Sequence, residues 1–194
     1  LDLIKHGADF FTGTTIIESS ETKKISDLVE AEEINYYKIG ENIFKIESSL
    51  QMKNGIKELK SWIIDEKNNS ITFDLILDCP LFIRGSIRAG ILTLDKTFAS
   101  KNGSIKIKNG NKYYEKMNLK NNEINQHIPK SLTQSSQSGL GCTNGIMKFK
   151  NDDSSFQIKI DREISYPFII LQNNKDKFGY LTRIHFSLQE LDDT

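Results

Sequence analysis

Histidine is the side chain whose ordinary pKa lies closest to neutrality, so the histidines are the first candidates for acid–base chemistry. The chain has three of them, His6, His127 and His185. His185 lies in the stretch YLTRIHFSL, where alternation along a strand places it on one polar face with Arg183. Two interpretations stay open: a strand-borne general acid, base or sugar-binding residue, or a histidine whose partner lies within the sheet.

Two arginines and the single tryptophan suggest a different chemistry, the binding of carboxylates or sugar hydroxyls. Arg84 and Arg88 in FIRGSIRAG share a strand face if Gly85, between them, does not introduce a β-bulge. Their guanidinium groups would suit a ligand, or would pair with neighbouring acids. Trp62, in KSWIID, offers a face on which a sugar could stack, and core packing is the alternative. The candidate substrate-binding residues are therefore Arg84, Arg88, Trp62, Arg183 and His185.

No motif marks a nucleophile, a metal site or a cofactor site. G-x-S-x-G and H-E-x-x-H do not occur, and Cys79 and Cys142 lack the spacing and the neighbouring histidines of a zinc site. Whether these two cysteines form a disulfide stays open. A pair of catalytic carboxylates for glycoside hydrolysis need not be local in sequence. We expect neither a metal nor a cofactor.

The glycine-rich stretch SGLGCTNG, residues 138–145, raises the possibility of a phosphate-binding loop. Such a loop follows a strand and opens a helix, because the N–H groups at the helix N-terminus hold the phosphate. Here IMKFK, an NDDSS turn and FQIKI follow instead, and the Lys-Ser/Thr pair of a P-loop is missing. The pattern predicts a strand, a turn and a strand, with Gly139, Gly141 and Asn144-Gly145 as sites where the chain changes direction.

Strand signals dominate the elements that must position these residues. SITFDLIL (residues 70–77) and SSFQIKID (residues 154–161) alternate apolar and polar side chains, as half-buried strands do. Further β-branched and aromatic runs bring the total to about a dozen candidate strands. These runs are SIRAGILTL (86–94), SIKIK (104–108), NGIMKFK (144–150), PFIILQ (167–172) and YLTRIHFSL (180–188).

Turn residues between the runs predict antiparallel hairpins, because Asn and Gly tolerate positive φ angles. The predicted turns are KNG (53–55), KNNS (67–70), KNG (101–103), KNGN (108–111) and NNKD (173–176). A short helix is predicted over Ile25–Ile34, with Ser26 as a possible N-cap. The polar stretch from Asn118 to Gln137 contains Pro129 and is expected to form a long loop across one end of a sandwich.

Composition limits the classes of partner. Lys plus Arg and Asp plus Glu both number 26, so the chain lacks the basic excess that binding nucleic acid requires. No apolar run approaches the roughly 18 to 20 residues of a membrane span. We therefore expect a soluble, cytoplasmic, single-domain protein over residues 1–194 that binds neither nucleic acid nor membrane. Because the chain begins at Leu1 and not at Met, we also expect it to be a segment of a longer protein or a processed product.

Three stretches together carry a family resemblance: RGSIRAGILTLDKTF (84–98), SGLGCTNG (138–145) and GYLTRIHFSLQELDDT (179–194). They resemble the C-terminal β-sandwich that follows the catalytic barrel in glycoside hydrolases of the family 57 and α-mannosidase type. That sandwich is similar to galactose mutarotase and is called a supersandwich. The resemblance covers about the last 110 residues, whereas residues 1–80 match only in their strand-rich character.

The resemblance implies an all-β fold, a large antiparallel β-sandwich with little helix. It also implies a non-catalytic module that braces the N-terminal catalytic barrel of the same chain and contacts oligosaccharide or polysaccharide. No catalytic residue is carried over, because the acid and the nucleophile belong mainly to the barrel.

Two other functions stay open. A stand-alone, mutarotase-like epimerase would need histidines and a glutamate on one concave sheet, for which His185 as base and Glu163 as carboxylate are the candidates. A purely structural module would instead use an exposed sheet to dock another protein.

Overall fold

The computed structural model describes residues 11–19, 23–110, 113–124, 139–176 and 179–190. These ranges contain fourteen strands and one short α-helix, α1 (Lys96–Ser100). The strands are β1 (Thr14–Ser19), β2 (Lys23–Ser26), β3 (Glu33–Gly40), β4 (Ile43–Gln51), β5 (Lys57–Asp65), β6 (Ser70–Asp78), β7 (Gly85–Leu94), β8 (Ser104–Asn109), β9 (Tyr113–Asn118), β10 (Gly139–Leu140), β11 (Ile146–Lys150), β12 (Ser155–Lys159), β13 (Phe168–Asp176) and β14 (Gly179–Gln189).

The strands form three antiparallel sheets. The main sheet has the order β10-β13-β14-β7-β1-β2, and the cover sheet has the order β12-β11-β8-β9. The third, which we call the meander sheet, runs β3-β4-β5-β6 in chain order. The predicted all-β antiparallel sandwich is therefore confirmed. In the part of the chain that the structure describes, no helix is long and apolar enough to cross a membrane.

The largest hydrophobic core lies between the main sheet and the cover sheet. Alternation on β14 directs Ile184 into this core, where it packs with Phe149 of β11 and Leu171 of β13. The strand, turn and strand predicted after SGLGCTNG are confirmed as β11, the Asn151 turn and β12, so no helix follows these glycines. Gly145 has a φ of 65°, as a turn requires, whereas Gly139 lies within β10 and pairs with Ile170.

A smaller apolar cluster joins the meander sheet to the main sheet. Ile17 and Ile25, paired across β1 and β2, pack there with Met52 and Ile56. Further along the contact, aromatic rings lie directly over glycine backbone. A Cβ on Gly90, whose φ is 63°, would come within 2.9 Å of the Phe73 ring. This conformation and this approach both require glycine.

Two local predictions are wrong, and in both cases sheet pairing decides the outcome. No helix spans Ile25–Ile34, because Ile25 pairs with Ile17 and the next strand begins at Glu33. The pairing of β2 with the preceding strand β1 and the burial of Ile25 outweigh the local helical pattern. NNKD is not a turn either, since β13 continues through it to Asp176. Its Asn173 is fully buried and donates hydrogen bonds to the carbonyls of Leu119 and Asn122.

Three of the predicted Asn turns, at residues 53–55, 67–70 and 101–103, are confirmed. Asn54, Asn69 and Asn102 all have positive φ, at 63°, 49° and 57°. The predicted long loop differs at its start, because Leu119 and Ile124 are fully buried and Ile124 forms a β-bridge with Asn173. The rest of that loop, residues 125–137, lies outside the described residues.

Candidate functional site

His185 lies on β14 and is 3 % exposed. Its Nε2 is 3.2 Å from Oε1 of Gln172, on the adjacent strand β13. On the other side, β7 has a β-bulge. Ile184 pairs with Leu92 and Phe186 pairs with Ala89, so two residues of β7, Gly90 and Ile91, lie opposite His185 alone. This environment supports the interpretation that His185 is bonded within the sheet. Arg183 follows the predicted alternation and is half-buried between β13 and β7.

Arg88 belongs to a polar cluster at the end of the main sheet, and Arg84 does not. The Arg88 guanidinium donates through Nε and Nη2 to Glu190 at 2.9 and 3.0 Å. The hydroxyls of Ser86 and Ser187 donate to the same carboxylate at 2.8 and 2.6 Å. Arg84 is exposed and precedes β7, so the expected shared face is not formed.

The alternative, a bulge at Gly85, is not observed either, since its pairing with β1 is regular. Gly85 instead pairs with Ser19 and approaches β1 so closely that a Cβ would lie 1.9 Å from the Glu18 carbonyl oxygen. Burial opposes the ionisation of Glu190, but the hydrogen bonds from Arg88, Ser187 and Ser86 outweigh it. The pKa of Glu190 is therefore lowered from its ordinary value. All four hydrogen bonds that this carboxylate accepts come from side chains of the protein itself, so we assign it a structural role.

Trp62 is half-buried where the meander sheet meets the main sheet. Its ring centroid is 4.1 Å from that of Phe73, and a Cβ on Gly13 would lie 2.6 Å from its ring edge. This geometry favours the packing interpretation of Trp62 over the sugar platform.

The other sequence candidates are not brought together. Glu163 is exposed in the turn after β12, where its N–H donates to Asp161 at 2.9 Å, while His185 is buried on β14. His6 and His127 lie outside the described residues. Cys79 and Cys142 are both free thiols, and Cys142 is buried in the large core. Among the described residues, no group of three or more His, Cys, Asp or Glu side chains could hold a metal ion.

A buried charge cluster joins β1 to β5, and the sequence alone did not reveal it. The Lys60 ammonium pairs with Asp27 and lies 3.3 Å from Oε2 of Glu58. Thr15 ties both acids to the main sheet: its N–H donates to Asp27 at 2.8 Å and its hydroxyl donates to Glu58. Two carboxylates therefore share one cation in a site where both acids are almost fully buried.

Burial is the largest influence on Glu58. It raises the pKa of this carboxyl above its ordinary value, although the Thr15 hydroxyl and Lys60 act in the opposite direction. A raised carboxyl pKa is typical of catalytic acids, but also of buried ion clusters. Because the side chain is enclosed and bonded to Thr15, we assign it to the attachment of the meander sheet.

A row of polar side chains lies on the face of the meander sheet that points away from the main sheet; Asp74 in this row is exposed, whereas Asn35 and Glu47 are half-buried. Trp62 faces the main sheet, so alternation turns its neighbour Ser61 to the opposite face. Directly opposed residues share a face, and the register places four polar side chains in one row across the sheet. The row is Asn35, Glu47, Ser61 and Asp74.

Apolar and aromatic groups flank this polar row. Tyr37, opposite Lys45, lies on one side, and Leu59, opposite Ile76, lies on the other. Lys45 Nζ is 2.7 Å from Glu47 Oε1, and this contact raises the pKa of Lys45. A depression of about 170 Å³ lies at the β3 end of the row, with Glu33, Asn35, Glu47 and Leu59 in its lining.

Ser61 lies at the centre of the row. Its hydroxyl is buried between Glu47 and Asp74, which lie opposite it on the adjacent strands β4 and β6. It has no hydrogen-bond partner within the described ranges. The alternation of β6 had placed Asp74 on the polar face of its strand. The row itself depends on the pairing register of four strands, which the sequence does not give.

Comparison of the chain with protein-family models, with curated proteins and with solved structures finds no match.

Proposed function

We propose that this protein is a non-catalytic carbohydrate-binding β-sandwich module and that the outer face of the meander sheet contacts the oligosaccharide. The observation that carries the proposal is the row Asn35, Glu47, Ser61 and Asp74 beside the exposed ring of Tyr37. Carboxylate and amide groups bond sugar hydroxyls, and an aromatic face suits the apolar face of a pyranose. An open sheet face suits a chain better than a single small molecule.

The distribution of buried polar groups supports a binding role over a catalytic one. Glu190 and Glu58, both with shifted pKa values, are held by internal partners. His185, the proposed base of a mutarotase-like enzyme, is buried, and its candidate partner Glu163 is exposed in a turn. In this proposal the catalytic groups belong to a barrel in another part of a parent glycoside hydrolase, which the sandwich braces.

Titration calorimetry with α-glucan and mannan oligosaccharides tests the proposal. We expect heat of binding with at least one of these sugars and a loss of about tenfold or more in affinity for Tyr37→Ala, because the stacking surface is removed. Tyr114→Ala is the matched control, since Tyr114 on β9 is 40 % exposed and Tyr37 is 42 % exposed. Absence of heat with every sugar, or equal affinity for Tyr37→Ala and wild type, would refute the proposal.

A further inference from the structure

Strand β3 is an edge of the meander sheet. It is eight residues long and pairs with β4 on one side, and no described strand pairs with its other side. In an antiparallel ladder, alternate residues of such a strand direct their N–H and C=O groups outward. Folded proteins usually protect an edge by shortness, proline or charge. The main-sheet edges β2 and β10 are short, and the opposite meander edge β6 carries Asp74 and Asp78, both exposed.

The side chains of β3 lack that protection along most of the strand. Ile34 is 70 % exposed and Tyr36 is 63 % exposed on one face, while Tyr37 and Ile39 are exposed on the other. The ring of Tyr36 stacks on Phe44 of β4, with centroids 5.9 Å apart, so the apolar surface continues onto the next strand. An exposed edge with apolar side chains on both faces suits the addition of another strand.

The charges around β3 indicate what kind of strand could be added. Residues 30–41 carry Glu30, Glu32, Glu33 and Glu41 against a single base, Lys38, so their net charge is −3. All four carboxylates are exposed at the two ends of the strand. Antiparallel pairing of two copies about Tyr36 would bring Glu41 of one copy opposite Ala31 of the other, between Glu30 and Glu32. Like charges would therefore oppose self-pairing.

We propose that β3 accepts an extended segment of a partner protein as a fifth strand of the meander sheet, and that this segment has alternating apolar residues with lysine or arginine at its ends. Main-chain hydrogen bonds to the outward groups of β3 hold the segment. Its apolar side chains cover Ile34 and Tyr36, and its terminal cations face the four carboxylates. This inference concerns a protein partner and does not depend on carbohydrate binding.

The test uses a labelled synthetic peptide whose core alternates valine and threonine between pairs of lysines, with binding followed by fluorescence anisotropy. We expect binding to the wild-type chain and a loss of about tenfold or more for Ile34→Lys, because a lysine there protects the edge. Ile71→Lys is the matched control, since Ile71 is 65 % exposed on the opposite edge strand β6. Its affinity should equal that of wild type.

Three further measurements separate strand addition from other binding. A peptide with N-methylated valines should not bind, since its backbone cannot complete the ladder, and a glutamate-flanked peptide should bind about tenfold or more weakly. If Ile34→Lys perturbs folding, Glu32→Lys with Glu33→Lys supplies the second test and should weaken binding of the lysine peptide. No binding by wild type, equal binding of the altered peptides, or self-association of wild type through β3 in sedimentation would each overturn the proposal.

Discussion

Two glutamates in this sandwich are both held by hydrogen bonds, yet their pKa values shift in opposite directions. Glu190, at the end of the main sheet, is the only carboxylate that accepts hydrogen bonds from Arg88, Ser86 and Ser187 among the described residues, and its pKa is lowered. Glu58, between the main and meander sheets, shares Lys60 with Asp27 and has a raised pKa. The difference follows from the ratio of cations to carboxylates and from the depth of burial.

The same contrast separates two kinds of stabilisation. The ionised form of Glu190 stabilises the folded state, because the folded protein favours it more than water does. The ionised form of Glu58 is disfavoured on folding, so the cluster fixes the position of the meander sheet at a cost in stability near neutral pH. Replacing each of the two glutamates by glutamine should therefore change the free energy of unfolding with opposite signs.

The largest effect is expected for Lys60→Met, which leaves Asp27 and Glu58 buried together without their shared cation. Breaking a buried ion cluster by removing one partner costs about 3 kcal/mol or more. Urea denaturation at neutral pH measures this loss. Lys57→Met is the control, because Lys57 is exposed at the start of the same strand. If both variants were equally stable, the two acids could not both be charged in the folded protein.

Glu190→Gln should destabilise the protein at pH 7 by about 1 kcal/mol, a modest value because the side chain is partly exposed. The Glu190 pKa is lowered, so its contribution is complete above the ordinary value of 4.5 and is lost as the pH falls through the folded-state pKa. Denaturation curves of the variant and wild type should converge in acid. Glu163→Gln, an exposed control, should change little at any pH.

Glu58→Gln should have the opposite sign and raise the free energy of unfolding at pH 7 by about 1 kcal/mol or less. The amide oxygen can still accept from Thr15, and Lys60 then pairs with Asp27 alone. The Glu58 pKa is raised, so the contribution of this carboxyl to the stability of wild type is complete below the ordinary value of 4.5 and decreases as the pH rises through the folded-state pKa. The variant should therefore become more stable than wild type as the pH rises through this range. A lower free energy of unfolding for the variant at pH 7 would contradict the assignment of Glu58 to a buried cluster with too few cations.

The sequence predicted the fold class because alternation and Asn-Gly turns are local signals. SITFDLIL and YLTRIHFSL became β6 and β14, and alternation along β14 places Arg183 and His185 on the side opposite Ile184. The helix predicted at Ile25 failed because Ile25 pairs with Ile17 of the preceding strand β1, and a helical pattern in one segment does not reveal such a pairing. A window of residues cannot show which strand will lie beside it.

The same limitation explains why the sequence did not reveal the polar clusters and the polar row. Arg88 was a candidate from its type, but its partner Glu190 is more than one hundred residues away in the chain. The row across Asn35, Glu47, Ser61 and Asp74 and the shared cation of Asp27 and Glu58 likewise depend on strand register and sheet packing. Such constellations combine common residue types that carry no motif.

The smallest expected effect tests whether the two clusters are independent. Glu58 contacts Thr15 and Lys60, whereas Glu190 contacts Arg88 and the two serines, so they share no partner. The double variant Glu58→Gln with Glu190→Gln should therefore show the sum of the single effects to within about 0.5 kcal/mol, measured by urea denaturation at pH 7. A larger coupling would mean that one cluster senses the charge of the other through the main sheet. The opposite pKa shifts would then be properties of one network instead of two separate environments.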